Sequence, residues 1–234
     1  MSGARSESTP GLRDARCTVR GEELVLLPER AVWWERTRTL LIADPHFGKA
    51  ATFRTAGVPV PAGTTAGTLA RIDATIARTD PARLVFLGDF LHAREGKSAA
   101  VVAALGVWRE GHASLDVVLV RGNHDRRAGD PPAELRIRCA DAPLVETPFA
   151  FVHHPVAVPG AYALAGHLHP SATMIGRGRQ RERLPCFWFG GESAVLPAFG
   201  EFTGLASIEP VAGDRVFVIA GDVVHPVSPN GDPA

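Results

Sequence analysis

The chain has 234 residues, of which 45% are hydrophobic and 21% are charged. These proportions are typical of a globular protein and exclude a disordered, collagen-like or coiled-coil chain. Basic and acidic side chains number 25 each, so the formal net charge is zero. Overall charge therefore gives no reason to expect binding to nucleic acid or to an acidic membrane, and any such function must come from local clusters.

Polar segments at the two ends of the chain flank the predicted strands and helices. We expect a single domain over residues 14–225, with flexible tails at 1–13 and 226–234, because the ends hold little that could be buried. Short apolar runs between turn residues predict strands. In chain order these strands are 24–27, 31–34, 39–43, 84–87, 117–120, 149–152, 162–165, 172–175, 186–189, 205–208 and 216–219.

Two segments have the periodicity of amphipathic helices. In residues 65–78, Leu69, Ile72 and Ile76 share one face, and a proline follows the segment. Residues 98–111 begin with a serine suited to cap a helix and end at a glycine. Strands and helices alternate in the first half, while strands dominate the second. This order predicts an α/β fold with helices flanking a central β layer, for which two packed sheets are one arrangement.

Cysteines and apolar runs bear on the compartment. The three cysteines are scattered and form no CxxC pair, which argues against a disulfide framework and a thiolate zinc site and indicates a reducing compartment. No apolar stretch typical of a signal peptide occurs near the start, and the richest apolar run, Ala99 to Trp108, is too short to span a bilayer. We therefore expect a cytoplasmic protein without membrane association.

Five predicted strands are each followed by polar side chains that can bind metal. In chain order these segments are Asp44-Pro45-His46, Gly88-Asp89, Gly122-Asn123-His124-Asp125, His153-His154 and Gly166-His167-Leu168-His169. Because strand ends at one edge of a sheet converge, these side chains can meet in a single cleft. Carboxylate, imidazole and amide ligands without thiolate suit Mn, Fe, Zn or Mg. The number of candidate ligands exceeds the needs of one ion, which indicates two metals bridged by a carboxylate such as Asp89.

The ordered set D-x-H, GD, GNHD, H and GHxH resembles the calcineurin-like metallophosphoesterases. The resemblance runs from Asp44 to His169. It implies a four-layer αββα sandwich, with two packed mixed β-sheets flanked by helices, and a dinuclear metal site. Manganese is the first expectation for the two divalent ions, with Fe, Zn or Mg as alternatives.

The resemblance also implies roles for individual residues. One metal would be held by Asp44, His46, Asp89 and His169. The other would be held by Asp89 as the bridge, Asn123, His153 and His167. His124 would be the catalytic acid, oriented by Asp125 or another carboxylate. His154 is the alternative to its neighbour His153 as a ligand; we prefer His153 and treat His154 as a group near the ligands or substrate.

Further side chains are candidates for contact with substrate. His92, Arg54 and Arg121 could bind phosphate, although the two arginines could equally form surface ion pairs. Lys49 is either a phosphate-binding cation or a solvated lysine. The best basic cluster lies in a predicted loop between two strands and could contact a DNA backbone. It consists of Arg177, Arg179, Arg181 and Arg183.

Residues outside the metal motifs support a narrower resemblance. The segment from Asp44 through Phe47-Gly48-Lys49 to Thr65, and the later Leu196-Pro197-Ala198-Phe199-Gly200 and Phe202-Thr203-Gly204, are similar to the bacterial ligase-associated DNA damage response endonucleases, the PdeM group. This resemblance implies a phosphodiesterase that acts on DNA in repair, associated with a DNA ligase and a repair helicase. The alternatives are a phosphatase or phosphodiesterase of small phosphorylated metabolites and a non-catalytic repair scaffold. The oligomeric state stays open.

Overall fold

The computed structural model describes residues 12–55, 57, 63–176, 178, 180–201 and 203–227. Arg177, Arg179 and most of the two predicted tails lie outside these residues. No described helix is both long enough and apolar enough to cross a membrane.

The described residues form 16 strands and four α-helices, with short 3-10 turns between them. The strands are β1 (Ala15–Val19), β2 (Glu22–Leu27), β3 (Ala31–Trp34), β4 (Thr39–Ile42), β5 (Arg83–Phe86), β6 (Asp116–Val120), β7 (Arg138–Ala140), β8 (Leu144–Glu146), β9 (Phe149–Phe151), β10 (Tyr162–Ala165), β11 (Pro170–Ile175), β12 (Arg181–Phe189), β13 (Ser193–Val195), β14 (Ala206–Ser207), β15 (Arg215–Ala220) and β16 (Val223–Val227). The helices are α1 (Lys49–Thr55), α2 (Thr64–Thr79), α3 (Ala99–Gly111) and α4 (Asn123–Ala128).

The strands form two mixed sheets. The first has the order β1-β2-β3-β4-β5-β6-β7 and changes from antiparallel pairing to parallel pairing at β4. In the second, β14-β11-β12-β13-β10-β9-β8 are adjacent, and the β15–β16 hairpin pairs with β12. The predicted metal motifs follow strands β4, β5 and β6 of the first sheet and β9 and β10 of the second. Both sheets therefore contribute loops to one end of the sandwich.

Alternating side chains of the strands fill the space between the sheets. From the first sheet, Leu41 and Val85 face inward, and from the second, Phe151 and Leu164 meet them. Trp34 packs edge-on against aromatic rings of β9, with its ring centroid 4.9 Å from that of Phe149. This interior accounts for most of the large side chains that are fully buried, and it holds the two strand edges in register at the site.

The other face of the first sheet is covered by the two long helices. Leu69 and Ile72 of α2, and Leu105 of α3, pack in one cluster with Leu84 and Phe86 of β5. The predicted helices agree with α2 and α3, and the Ser98 side chain caps α3 by accepting a hydrogen bond from Val101 N–H. The prediction of two packed sheets with flanking helices is thus confirmed.

The outer face of the second sheet differs from that of the first, whereas the four-layer αββα sandwich has helices on both. Its apolar cluster contains Cys186, Val216 and Val218 together with neighbouring strand and loop residues, and none of the described helices contributes to it. In the described residues, the helical layer is therefore built on the first sheet.

The ordered pairing also extends beyond the predicted domain limits. Arg13 N–H donates to the Asp222 carbonyl at 2.9 Å, and β16 continues through Pro226 to Val227, which pairs with Val216. Residue 13 and residues 226–227 therefore belong to the sheet instead of to tails, because Val227 is apolar enough to be buried there.

Candidate metal centre

Three of the five loops that carry the predicted ligands share an uncommon backbone conformation. Five residues of these loops have positive φ although none is glycine, an arrangement that costs energy and is concentrated at functional sites. They are Asp44, His46, Asp89, His167 and His169, with φ between 46° and 69°. Each loop therefore turns sharply as it leaves its strand and directs its side chain into the cleft.

Two carboxylates lie at the bottom of the cleft and are held by backbone amides of other motifs. Asp44 and Asp89 are 0% and 2% exposed. Asp44 Oδ2 accepts a hydrogen bond from His167 N–H at 2.8 Å, and Asp89 Oδ1 accepts one from His124 N–H at 2.9 Å. The motifs therefore orient one another's carboxylates, which explains why they occur as a set.

Backbone carbonyls fix the orientation of three imidazoles. His153 Nδ1 lies 3.0 Å from the Leu87 carbonyl, and His169 Nδ1 lies 3.1 Å from the Gly204 carbonyl. His124 Nδ1 likewise lies 2.5 Å from the His92 carbonyl. A carbonyl can only accept, so Nδ1 carries the proton in each ring and Nε2 faces the cleft with its lone pair, as metal-bound histidines commonly do.

The Nε2 atom of His153 lies among three other candidate ligands. It is 2.9 Å from Asn123 Oδ1, 3.1 Å from His167 Nδ1 and 3.3 Å from Asp89 Oδ1. His154 also approaches this group, with its ring 4.0 Å from that of His167, but its side chain is exposed. These positions favour His153, the buried member of the pair, as the ligand and leave His154 at the rim.

A second group of donors surrounds His46. Its Nε2 is 3.4 Å from His169 Nε2 and 3.8 Å from Asp89 Oδ2, and its Nδ1 is 3.4 Å from His92 Nδ1. The His92 ring stacks on that of His124, with centroids 4.9 Å apart. The sequence assigned His92 to phosphate; the structure also brings its ring nitrogen within reach of an ion held by His46 and His124.

Burial keeps these imidazoles neutral. The pKa of His153 falls to about 4, chiefly because burial penalises the imidazolium, and the pKa of His92 falls to about 4 for the same reason. The pKa of His46 is lowered further by burial and by the nearby Lys49. Neutral imidazoles are the form that binds metal, so burial holds His46, His92 and His153 in the ligating state.

The donor set has the properties expected of a site for divalent cations. Asp44 Oδ1 is buried and accepts no hydrogen bond, and burial together with the charge of Asp89 raises the pKa of Asp44 well above its usual range. Pairs of imidazole nitrogens also face each other at 3.1 and 3.4 Å. Buried carboxylate and imidazole groups gathered at these distances are suited to a cation between them. The residues therefore fit the ions that the sequence predicts, and four groups of three donors lie close enough to hold one.

Asp125 has a structural position that the sequence did not predict. Its carboxylate is 1% exposed and accepts hydrogen bonds from Gly122 N–H at 2.9 Å and Leu91 N–H at 3.2 Å. The group that contacts the His124 ring nitrogen is the His92 carbonyl. Asp125 therefore shapes the start of α4, and its role in orienting His124 stays a prediction, since both of these hydrogen bonds come from backbone amides and neither involves that ring.

The predicted phosphate-binding arginines lie in different environments. Arg121 binds Asp130 through two hydrogen bonds of 2.7 and 2.8 Å, so the ion-pair alternative holds for this residue. Arg54 is exposed on α1. Lys49, at the start of α1, is partly buried beside the cleft, and burial lowers its pKa.

The described part of the basic cluster lies away from the cleft. Arg181 and Arg183 belong to β12 instead of to a loop, and Arg183 pairs with Thr173 of β11. Thr173 is four residues beyond His169, which corresponds to about 13 Å along a strand. Both arginines are exposed, and Arg183 Nη1 donates to the Leu205 carbonyl at 3.1 Å.

Two grooves lead away from the cluster. One, of about 490 Å³, begins at Asn123 and His153 and includes Arg121 and Arg126. The other, of about 320 Å³, begins at His124, and its lining residues are His92, Ala93, Arg94, Glu95, His124 and Arg127. The sequence analysis missed the arginines at positions 94, 126 and 127. The sequence signal for two of them was the pair Arg126-Arg127 directly after GNHD. Helix α4 places Arg126 in one groove and Arg127 in the other.

The segment Leu196–Gly200, which carries part of the narrower resemblance, packs directly against the motif Asp44-Pro45-His46. Phe199 N–H donates to the Ala43 carbonyl at 2.8 Å, and Gly200 N–H donates to the Asp44 carbonyl at 3.1 Å. A Cβ atom on Gly200 would lie 2.5 Å from the Pro45 carbonyl oxygen, so only glycine fits there. The Leu196–Gly200 segment therefore supports the loop that carries Asp44.

Comparison with known proteins agrees with this geometry. A sequence model of the family described as calcineurin-like phosphoesterase matches residues 37–162. The crystal structure of the Pseudomonas putida nuclease MPE is 44% identical in sequence, covers 92% of this chain and 100% of its own, and superimposes with a TM-score of 0.82. YfcE, a phosphoesterase from E. coli, is 17% identical over 82% of this chain and 93% of its own, with a TM-score of 0.38.

No curated protein matches the sequence at a significant level. The family match nonetheless covers more than half of the chain and includes the first four metal motifs, and the related solved structure spans nearly all of it. The chain therefore belongs to the calcineurin-like phosphoesterases and is a metal-dependent hydrolase of phosphoric esters.

Proposed function

We propose that this chain is a nuclease that hydrolyses phosphodiester bonds of DNA. The observation that carries the proposal is the pair of grooves that leave one buried ligand cluster, each with two arginines along it. A polymer needs an entry and an exit on either side of the reacting phosphate, whereas a small metabolite needs one closed pocket. Three of these arginines, at positions 94, 126 and 127, are exposed, so they suit the phosphates that flank a cleavage point.

The contacts in the cleft support the following ligand assignment. Asp44, His46 and His169 would hold one ion, Asn123, His153 and His167 the other, and Asp89 would bridge them because its two oxygens face different groups. Two divalent ions bound there lower the pKa of a water molecule and neutralise charge on the phosphate. We propose Mn²⁺ as the physiological ion.

We propose that His124 protonates the leaving oxygen. Its Nδ1 contacts the His92 carbonyl, so Nε2 is the ring nitrogen that faces the cleft and would take up and release the proton. This Nε2 lies 3.9 Å from Asp89 Oδ2, so it borders the proposed bridging carboxylate. A positioned acid of this kind contributes about 10²–10⁴ in rate.

We also propose a role in DNA repair, in the cytoplasm, in association with a DNA ligase and a repair helicase. The narrower sequence resemblance supports this role, and the Leu196–Gly200 segment that carries part of it packs against the Asp44 loop. The likeness to the P. putida protein, a nuclease, supports action on nucleic acid. Three cysteines without disulfides are compatible with a reducing compartment.

The test is cleavage of a circular single-stranded DNA by metal-stripped protein to which Mn²⁺ is returned. We expect Mn²⁺-dependent opening of the circle, and loss of that activity in Asp89→Asn and His124→Ala. Asp73→Asn and His112→Ala are matched controls, because these two residues pair with each other at 2.7 Å on α2 and just after α3. Hydrolysis of a small phosphodiester without DNA cleavage would overturn the DNA substrate in favour of a metabolite. No hydrolysis of either by metal-bound protein would favour the scaffold.

A further inference from the structure

The groove that begins at Asn123 and His153 changes character as it leaves the metal cluster. Beyond His154 its wall is formed by Pro143, Val156 and Val158, with the small side chain of Ala157 between the two valines. The second groove instead continues among arginine and glutamate side chains. The two sides of the centre therefore offer different chemistry, one apolar and one charged.

The apolar wall has no structural reason to be exposed. Val156 is 51% exposed, although burial of an apolar side chain stabilises a folded protein. An exposed apolar surface beside polar groups is a common feature of ligand sites. The volume of the groove, about 490 Å³, lies in the range of about 300–1,000 Å³ that accommodates small organic ligands.

We propose that this groove binds the nucleobase of a nucleotide adjacent to the scissile phosphate. The inference rests on the proposed nuclease function, since continuity with the ligand cluster places the occupant next to the phosphate. A nucleobase is flat and largely apolar on its faces, which matches the Pro143 and Val156 wall, and Arg126 at the same groove is exposed and suits the next phosphate. A base paired in a duplex cannot enter, so the groove selects unpaired strands.

The test measures binding and needs no cleavage. Mn²⁺-loaded protein is dialysed against a thymidine phosphonate in which CH₂ replaces the 5′-bridging oxygen, so that no ester bond to the nucleoside can be hydrolysed, or against the base-free 2-deoxyribose analogue of the same compound. We expect the nucleoside compound to bind about tenfold more tightly, as burial of roughly half a base face predicts. Ala157→Trp should fill the groove and remove this difference. Val211→Trp is the matched control, because Val211 is 66% exposed and does not line the groove.

Val156→Asp provides a second variant that removes the apolar wall without filling the space. Both variants are accepted only if their thermal unfolding midpoints match that of the wild type. Equal binding of the two compounds by the wild type, or an unchanged preference in both variants, would overturn the groove assignment. A preference for the nucleoside compound in a protein that cuts no DNA would keep the groove and overturn the nuclease proposal, so the two failures are distinguishable.

Discussion

Substitution of Gly122 by alanine tests whether the close contact between two metal motifs sets the activity. A Cβ atom at this position would lie 2.3 Å from Asp89 Oδ1 and 2.6 Å from Asp89 N. Rotation of the carboxylate could relieve the first contact but not the second, because the second atom belongs to the backbone. The GNHD loop and the Asp89 loop must therefore separate.

The size of the displacement follows from the same distances. Cβ atoms essentially never approach another heavy atom within 3.0 Å, so the 2.6 Å backbone contact requires the two loops to separate by about 0.4 Å, and the 2.3 Å contact requires Asp89 Oδ1 to move by about 0.7 Å. Overpacking of this kind destabilises a protein by about 1–3 kcal/mol. A ligand misplaced by nearly 1 Å can lower turnover by about 10²-fold. The shift would also carry Asn123 away from Asp89, so we expect metal affinity to fall by about 10–100-fold.

The assay compares Gly122→Ala with Gly106→Ala, each measured for phosphodiester turnover, Mn²⁺ affinity and thermal unfolding. Gly106 lies inside α3, and a Cβ atom added there would meet no atom within 4 Å, so alanine should stabilise that helix by about 0.5–1 kcal/mol without affecting turnover. Wild-type turnover and Mn²⁺ affinity in a folded Gly122→Ala protein would refute the reasoning.

Three further predictions concern charge and metal. Arg121→Ala should leave turnover within about twofold, because its guanidinium is engaged by Asp130, and a much larger loss would show that it binds phosphate instead. In metal-free protein, the pKa values of His92 and His153 are lowered to about 4, so the unfolded chain binds protons that the folded protein does not as the pH falls from 6.5 to 4. The free energy of unfolding, measured in urea at each pH, should fall over that range, because burial also lowers the pKa values of His46, His167 and His169. The raised pKa values of Asp44 and of Asp125, the latter at about 6, oppose part of this fall. Chelation should lower the unfolding midpoint, and Mn²⁺ should restore it; an unchanged midpoint would contradict a cation between the buried carboxylates.

Much of the fold was accessible from the sequence because the strands are short apolar runs that end in distinctive polar motifs. The predicted strands 31–34 and 162–165 coincide with β3 and β10, and the others differ by a few residues at their ends. Trp33, Trp34 and Trp108, each inside a predicted strand or helix, are buried, whereas Trp188 of β12 is partly buried. Strands β1, β7, β8, β13 and β16 were missed. The exposed face of β1 is polar, and β7, β8 and β13 have three residues each, too few to show an apolar period. Strand β16 contains a histidine and a proline and runs into the predicted C-terminal tail.

The site was harder to predict wherever a role depends on distance between segments. GNHD indicates that Asp125 is near the chemistry, yet only the fold shows that its carboxylate accepts from the amides of Gly122 and Leu91. The His92 and Gly204 carbonyls that orient imidazoles carry no side-chain signature at all. Backbone groups and long-range neighbours thus decide roles that motif spacing leaves open.

The distribution of ligands between the two sheets links metal binding to the stability of the whole sandwich. Asp44, Asp89 and Asn123 follow strands of the first sheet, whereas His153 and His167 follow strands of the second. Without a cation, the cleft holds buried carboxylates, opposed imidazole lone pairs and backbone at positive φ, and each of these disfavours the folded state. A bound cation reverses the first two effects and joins the two sheets at their common edge. The same features that prepare the site for a phosphoric ester therefore make this edge depend on metal for its stability.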